Sequence, residues 1–313
     1  MGAKKGTFME FRDLHYLLAI AQAKSISKAA QGLFMSQSSL SQALRLMEDE
    51  LGGKLFTRTS TGVRPTQAGE LMIQRAQKIL GEYHQTQQMI QDMENLEAGR
   101  VDFGISTFRG GYLLPPALCR FCQRYPNIQV EIREENSMAL EQLLIEGQLD
   151  LALIALPPVK LKDQVELLLQ DEILLVVSHD HPVNALSREC VLDTGEVRRY
   201  VDVEDTMAYD YILSDYDTIL GSLSRAAFSQ RGLVPKVRNG NLTAPFAAAM
   251  ARAGLGIAFT YRSCREDYPH TQYYSIGPEG VFLDLGLAFP PGNYRSRAAL
   301  ALADTLKQYY QTP

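Results

Sequence analysis

The chain has 313 residues, 46% of them apolar, with a net charge of −5 and four cysteines. That length exceeds one average domain and suffices to bury substantial cores, four scattered cysteines do not make a disulfide framework, and no apolar run approaches the roughly 18 residues of a membrane span. The segment Met1-Gly-Ala-Lys-Lys-Gly-Thr-Phe8 lacks a signal-peptide core and has Gly6 where myristoylation needs Ser or Thr, so a cytoplasmic location is expected.

The charge is split along the chain. Residues 1–66 hold nine Lys/Arg against five Asp/Glu, and the remainder holds 22 against 31. A small basic head on an acidic body suits nucleic-acid contact by the head alone.

Residues 1–7 carry no structural signal. From Met9 to Ala23, Phe11, Leu14, Leu18 and Ala21 recur at helical spacing and predict a support helix. Ser27 to Leu33 predicts a short helix with Ser27 at its N-cap, and Ala29 and Ala30 are small enough for a close crossing. A turn over Leu33 to Ser36 leads into a third helix, Ser36 to Leu51. Its apolar residues Leu40, Ala43, Leu44, Met47 and Leu51 form one stripe. The other face carries Gln37, Ser38, Ser41, Gln42 and Arg45, whose amide, hydroxyl and guanidinium groups match base edges in a major groove. Acids, which repel phosphates, are confined to Glu48, Asp49 and Glu50.

Leu55 to Thr66 alternates Thr and Arg around Gly62 and predicts a two-stranded wing. Helix, helix, turn, helix and wing make a winged helix-turn-helix over residues 9–66. Gln37, Ser38, Gln42 and Arg45 are expected in the major groove, while Ser36, Arg58, Thr59 and Arg64 hold phosphates. Ser27, Ser39 and Ser41 complete the candidate DNA-contacting set.

Over residues 67–97, Met72, Ala76, Ile79, Tyr83, Thr86, Ile90 and Met93 are spaced as a heptad seam. The seam predicts a linker helix that pairs two chains through Met72, Ala76, Ile79, Tyr83, Ile90 and Met93, the alternative being a long surface helix packed on its own chain. Helix signal stops at Ala98-Gly99. Residues 98–313 then alternate strands (101–106, 128–133, 149–155, 173–178, 209–213, 234–238, 256–261, 283–289) with helices (113–125, 137–146, 217–231, 242–253, 295–310), an α/β body with parallel sheets.

Ala29-Ala30, Leu33, Ser36-Gln37, Leu40-Ser41, Arg45, Glu48 to Gly52, Leu55-Phe56, Arg58, Pro65-Thr66 and Ala68-Gly69 together resemble the LysR-type transcriptional regulators. The chain departs from that pattern at Ser38, where members usually carry Pro, and at Gln42, where they often carry Arg. More loosely, Tyr112-Leu-Leu-Pro-Pro116, Phe121, Tyr125-Pro126, Leu140, Gly147 to Ala152, His181-Pro182 and Ala253 to Ala258 are similar to the family's effector domain. The resemblance implies a two-lobed body like periplasmic solute-binding proteins, with lobe one from residues 99–170 and 276–313 and lobe two from 171–275. It also implies double-stranded promoter DNA and a small-molecule effector as partners, a homodimer or homotetramer, and no cofactor.

In open α/β folds ligands bind beyond the carboxyl ends of strands. Ser106, Thr107, Phe108 and Arg109 follow the first body strand, Asn136 and Ser137 the second, and Asn241, Thr243, Thr260 and Tyr261 flank later ones. Hydroxyls and helix N-termini suit a small organic anion, which Arg109 neutralises, with Phe108 as an apolar wall. Ser137 reads equally well as a plain N-cap, and Arg109 as a solvated side chain.

Other motifs have plainer readings. Cys119-x-x-Cys122 sits late in its helix beside Leu118 and Phe121, which favours packing over redox or metal chemistry. His179 and His181 lack neighbouring ligands for zinc. Gly254-Leu-Gly256 follows a helix and precedes a strand, the reverse of a phosphate cradle. With no nucleophile elbow or phosphate loop, catalysis has no residues to rest on. The alternatives to a ligand-responsive regulator are a constitutive DNA-binding oligomer and a two-lobed enzyme with an accessory head.

Overall fold

A computed structural model of the chain describes residues 9–94, 99–161 and 164–311. Residues 1–7 lie outside the described residues, as do the side chain of Met93 and the stretch 95–98 where the long helix was expected to stop.

The head begins with α1 (Phe11–Ala23), which Glu10 and Asp13 cap reciprocally. Lys24 then takes a left-handed conformation, and α2 (Ile26–Gly32) starts from Ser25, whose hydroxyl accepts from Lys28 N. The cap expected at Ser27 is therefore corrected to Ser25: the left-handed residue ends α1 two positions earlier, and Ser27 is an exposed residue in the first turn of α2. The third helix, α3 (Gln37–Leu51), is capped by Ser36 and ends on left-handed Gly52. Leu40, Leu44 and Met47 bury their side chains against α1 and α2, whereas Leu51, expected in the same stripe, is exposed at the helix end. Strands β1 (Phe56–Thr59) and β2 (Gly62–Pro65) form an antiparallel ribbon.

The long helix α4 (Gln67–Glu94) has three distinct sides. Ile73, Ala76 and Leu80 pack into the head core with Met72. Gly81, His84, Gln88 and Asp92 face the body. Ile79, Tyr83 and Ile90 remain 44%, 49% and 55% exposed, so the seam read from sequence is divided: Met72 and Ala76 belong to the chain's own core, and of the three exposed members Tyr83 sets its ring 5.0 Å from that of Phe11 in α1.

The body contains β3 (Gly99–Ile105), α5 (Thr107–Arg124), β4 (Ile128–Glu134), α6 (Ser137–Ile145), β5 (Leu151–Ala155) and β6 (Val165–Ser178). It continues through β7 (Arg188–Val191), β8 (Val197–Val201), β9 (Asp210–Ser214), α7 (Ile219–Ser229), β10 (Lys236–Leu242) and α8 (Ala244–Arg252). It ends with β11 (Ala258–Tyr261), β12 (Thr271–Ile276), β13 (Val281–Ala288) and α9 (Arg297–Gln311). One sheet runs β4-β3-β5-β13-β6-β12-β8-β7, with β11 also on β6, and β9 pairs with β10 separately.

The body is built around β6. Its first part, Val165 to Ile173, pairs with β13, and its last part, Ile173 to Ser178, lies between β11 and β12, all antiparallel. The strand thus passes from one lobe to the other near Asp171. The sheet is mixed rather than parallel, because the two crossings, at β6 and between β12 and β13, run in opposite directions. Sequence alternation located only the second half of β6 and missed β7, β8 and β12, which carry polar, half-exposed faces. It also started α5 six residues late, since Gly110-Gly111 weakens helix propensity while burial of Arg109, Leu113 and Leu114 favours the helix.

Candidate nucleic-acid interface and interlobe cleft

Helix α3 presents Ser38, Gln42 and Arg45 at i, i+4 and i+7, one exposed stripe opposite Leu40, Leu44 and Met47. Exposed Gln37 and half-buried Ser41 flank this stripe on one side and exposed Ser39 on the other. Ser36 is engaged locally: its Oγ accepts from Ser39 N at 3.1 Å and lies 2.9 Å from Ser38 Oγ and 2.8 Å from Ser39 Oγ.

The wing is held to α3 by Glu48, which the sequence placed only among the acids confined to the end of the helix and within the family motif. Glu48 is 7% exposed, and its carboxylate accepts from Leu55 N at 2.9 Å, Phe56 N at 3.3 Å and Lys54 Nζ at 2.6 Å. On the other side Val63 N donates to Lys24 O, and Gly62, at φ +147°, lies so near that carbonyl that a methyl group would run into it. The ribbon register puts Arg64 opposite Thr57, with Thr59 on the same face, whereas Arg58 lies opposite Val63 on the face that also carries buried Phe56. Both arginines are exposed, but from opposite faces of the wing.

In the body, β3, β4 and β5 are parallel, so their carboxyl ends gather Ser106, Thr107, Asn136 and Ser137 at one edge. Ser106 stands at the N-terminus of α5 with its hydroxyl not used as a cap, and Thr107 is exposed. Asn136 caps α6 through Ala139 N, and Ser137 Oγ accepts from Ala155 N at 3.4 Å. In the other lobe Asn241 and Thr243 are exposed at the end of β10 and the start of α8. Thr260 is buried and alternates with Tyr261, so it shares the side of Ala258 beneath α8 and is turned away from the cleft.

Arg109, read from sequence as the neutraliser of an anion or else as a solvated side chain, is buried. It is 3% exposed, its Cζ lies 3.8 Å from the centroid of the Tyr261 ring, and its Nε lies 3.7 Å from Asp171 Oδ2. Its Nε and Nη2 have no hydrogen-bond partner. Phe108 packs 5.8 Å from both Tyr112 and Tyr261, making an aromatic wall. Asp171 accepts from Ser263 N at 3.0 Å and Ser263 Oγ at 2.6 Å, and burial pushes its carboxyl above the ordinary range despite these bonds and the nearby Arg109. The adjacent Glu172 holds Arg262 at 2.7 Å. Sequence reading missed this Asp-Glu pair. Its signal was two acids at the mouth of the apolar run Ile173 to Val177.

The two histidines weighed for metal are otherwise employed. His181 Nδ1 accepts from Val183 N, with burial lowering the pKa of the ring, and His179 Nδ1 lies 3.2 Å from Gln272 Nε2. The grouping His84, Asp102 and Asp150 is close enough to be considered for an ion, but its oxygens are already taken by Arg100, Gln88 and the Asp102 amide. Cys119 and Cys122 are exposed on α5 rather than packed, and both thiols are free. A cavity of about 1090 Å3 lies between α1, α4 and the β3–β4 edge, and none of the candidate effector residues lines it.

Two family models cover most of the chain. Residues 11–70 match the bacterial regulatory helix-turn-helix protein, lysR family, and residues 94–311 match the LysR substrate binding domain. A probable RuBisCO transcriptional regulator of Nostoc sp. is 29% identical over 312 residues, covering 96% of this chain and 88% of that one. The dual regulator OxyR of Escherichia coli is 36% identical over 185 residues, 58% of this chain and 59% of its own. Among solved structures, a full-length OxyR variant from Pseudomonas aeruginosa is 23% identical, with a TM-score of 0.69 over 96% of this chain and 95% of that one. Full-length CbnR with its target DNA is 18% identical, with a TM-score of 0.66 over 96% and 99%. These two structures show the shared fold.

Proposed function

Because the chain belongs to the LysR family of bacterial transcriptional regulators, we propose that α3 reads promoter DNA through Ser38, Gln42 and Arg45, and that the interlobe cleft receives a small organic anion. The chain is a DNA-binding regulator with an effector-binding body. The residue assignments rest chiefly on one observation: the exposed stripe of α3 carries donors and acceptors and no acid until Asp49. Arg64 and Thr59, on one face of the wing, hold phosphates, and Arg58 does so from the other. Ile79, Tyr83 and Ile90 pair two copies of α4, which sets two α3 helices at the spacing of DNA half-sites.

In the cleft, Ser106, Thr107, Asn136 and Ser137 offer hydroxyls and helix N-termini to the anion from one lobe, and Asn241 and Thr243 from the other. An effector that binds one lobe arrangement better shifts the population toward it by as much free energy as its two affinities differ. The test is a screen of small organic acids for thermal stabilisation of the full chain, repeated on Thr107→Val and Ser137→Ala. Stabilisation that falls in both variants supports the cleft. Equal stabilisation places the ligand elsewhere.

A further inference from the structure

Helix α4 carries the DNA-reading head, and it is fastened to lobe one along a single stripe of residues at i, i+3, i+7 and i+11. Gly81 abuts the turn at Glu146-Gly147 so closely that a methyl group there would strike Glu146 O. At the far end Asp92 accepts from Tyr294 Oη at 2.8 Å and Arg297 N at 3.0 Å. Between these fixed points sit His84 and Gln88. Gln88 is buried and donates to Asp150 Oδ1 at 2.8 Å. His84 Nε2 lies 3.1 Å from Gln88 Nε2, a contact within α4 that only the neutral ring can accept, and 3.5 Å from Asp102 Oδ2 and 3.8 Å from Asp150 Oδ1 across the joint. The two acids belong to neighbouring parallel strands and are locked together, since Asp102 N donates to Asp150 Oδ2 and Asp150 N to Asp102 O. His84 therefore meets a rigid pair of carboxylates of which only one, Asp102, has an arginine, Arg100, bonded to it.

We propose that His84 is a proton-operated latch between the linker helix and lobe one: the imidazolium holds α4 on the Asp102–Asp150 pair, and the neutral ring releases it. Two carboxylates within 4 Å favour the charged ring, and the cavity beside it gives the proton a path from solvent. Other titratable or charged groups face the same space: His15 of α1, Arg100 of β3, Arg133 of β4 and Glu135 just after it, with Glu131 of β4 beside Arg100. The ring's pKa is raised from the ordinary 6.5, first by the nearby Asp150 carboxylate and then by the charge of Asp102, against the opposing effects of burial and Arg100. A raised folded-state value stabilises the clasp fully below the ordinary histidine range and loses that stabilisation as pH rises through the folded value. Acid thus stiffens the joint between the DNA-reading head and the effector body, and alkali loosens it. The latch does not depend on which effector fills the cleft.

The test is thermal unfolding of the full chain from about pH 5 to 8 for the wild type, His84→Gln and His84→Lys. The wild type should exceed the glutamine variant by about 2–4 °C in acid, and the difference should shrink toward zero at the alkaline end. The permanently charged lysine should keep the clasp closed, so the wild type should fall below it as pH rises. Should the glutamine variant fail to fold, the wild-type and lysine pair still decides the matter. A wild-type advantage over glutamine that is constant with pH, or a wild type that tracks lysine throughout, overturns the latch.

Discussion

Arg109 and Tyr261 meet face on at the boundary between the lobes, the guanidinium carbon 3.8 Å from the ring centroid, with two of the arginine's nitrogens, Nε and Nη2, making no hydrogen bond. A buried cation with incomplete hydrogen bonding is costly, and the nearest acid, Asp171, lies at 3.7 Å rather than in a bonded pair. The lobe boundary therefore centres on a buried cation held between an aromatic face and a nearby carboxylate.

Asp171 gives this boundary a pH signature. Its carboxyl is raised above the ordinary 3.8, chiefly by burial. Between that value and the raised one the folded chain binds more protons than the unfolded chain, so stability falls as pH rises through this window. Asp171→Asn should remove the dependence. Urea midpoints of both proteins across mildly acidic pH check it, and parallel profiles would refute it.

Glu48 should matter to DNA binding without touching DNA. Glu48→Ala leaves the buried amides of Leu55 and Phe56 without their acceptor and should cost about 2–4 kcal/mol. Glu48→Gln keeps one acceptor oxygen and should cost less. Chemical denaturation gives the stability, and a footprint that loses the flanking backbone protection while keeping the central bases reports a displaced wing.

Gly81→Ala separates packing from propensity. On an open helix surface alanine stabilises by up to about 1 kcal/mol over glycine. Here the added methyl meets the Glu146 carbonyl and Gly147 Cα, so the variant should be destabilised by about 1–3 kcal/mol. A rise in melting temperature would mean that α4 does not lie against this turn in solution.

Ile79→Asp should split the oligomer. Ile79, Tyr83 and Ile90 are exposed on one stripe of a single chain, and a carboxylate in a paired apolar seam costs several kcal/mol to desolvate. Sedimentation velocity should show a lighter species than wild type. An unchanged coefficient would move the pairing surface elsewhere.

The head was legible from sequence because its periodicities are short-range: the stripe of α3 and the Thr-Arg alternation of the wing each lie within one element. Ser27 misled as a cap because Ser25, two residues earlier, competes for the same role and the left-handed Lys24 decides between them. The body was less legible. The first half of β6 is recognisable only from its partner β13, more than 100 residues away in sequence. The position of Ser106, Thr107, Asn136 and Ser137 just after β3 and β4 was readable from the strand pattern, whereas the burial of Arg109 under Tyr261 and the turning of Thr260 toward α8 depend on packing between elements that no local pattern encodes. Asp150 entered the reading only as part of a family motif, and its contact with Gln88 spans 62 residues.

The most direct test of the central claim compares Arg45→Ala with Arg64→Ala on a selected operator and its single-base variants at several salt concentrations. Arg45→Ala should lose about 1–3 kcal/mol on the operator and relax specificity at one position. Arg64→Ala should weaken all sequences alike and reduce the salt slope by about 1. An Arg45→Ala protein with wild-type affinity and wild-type base preference would contradict the assignment of α3 as the reading helix.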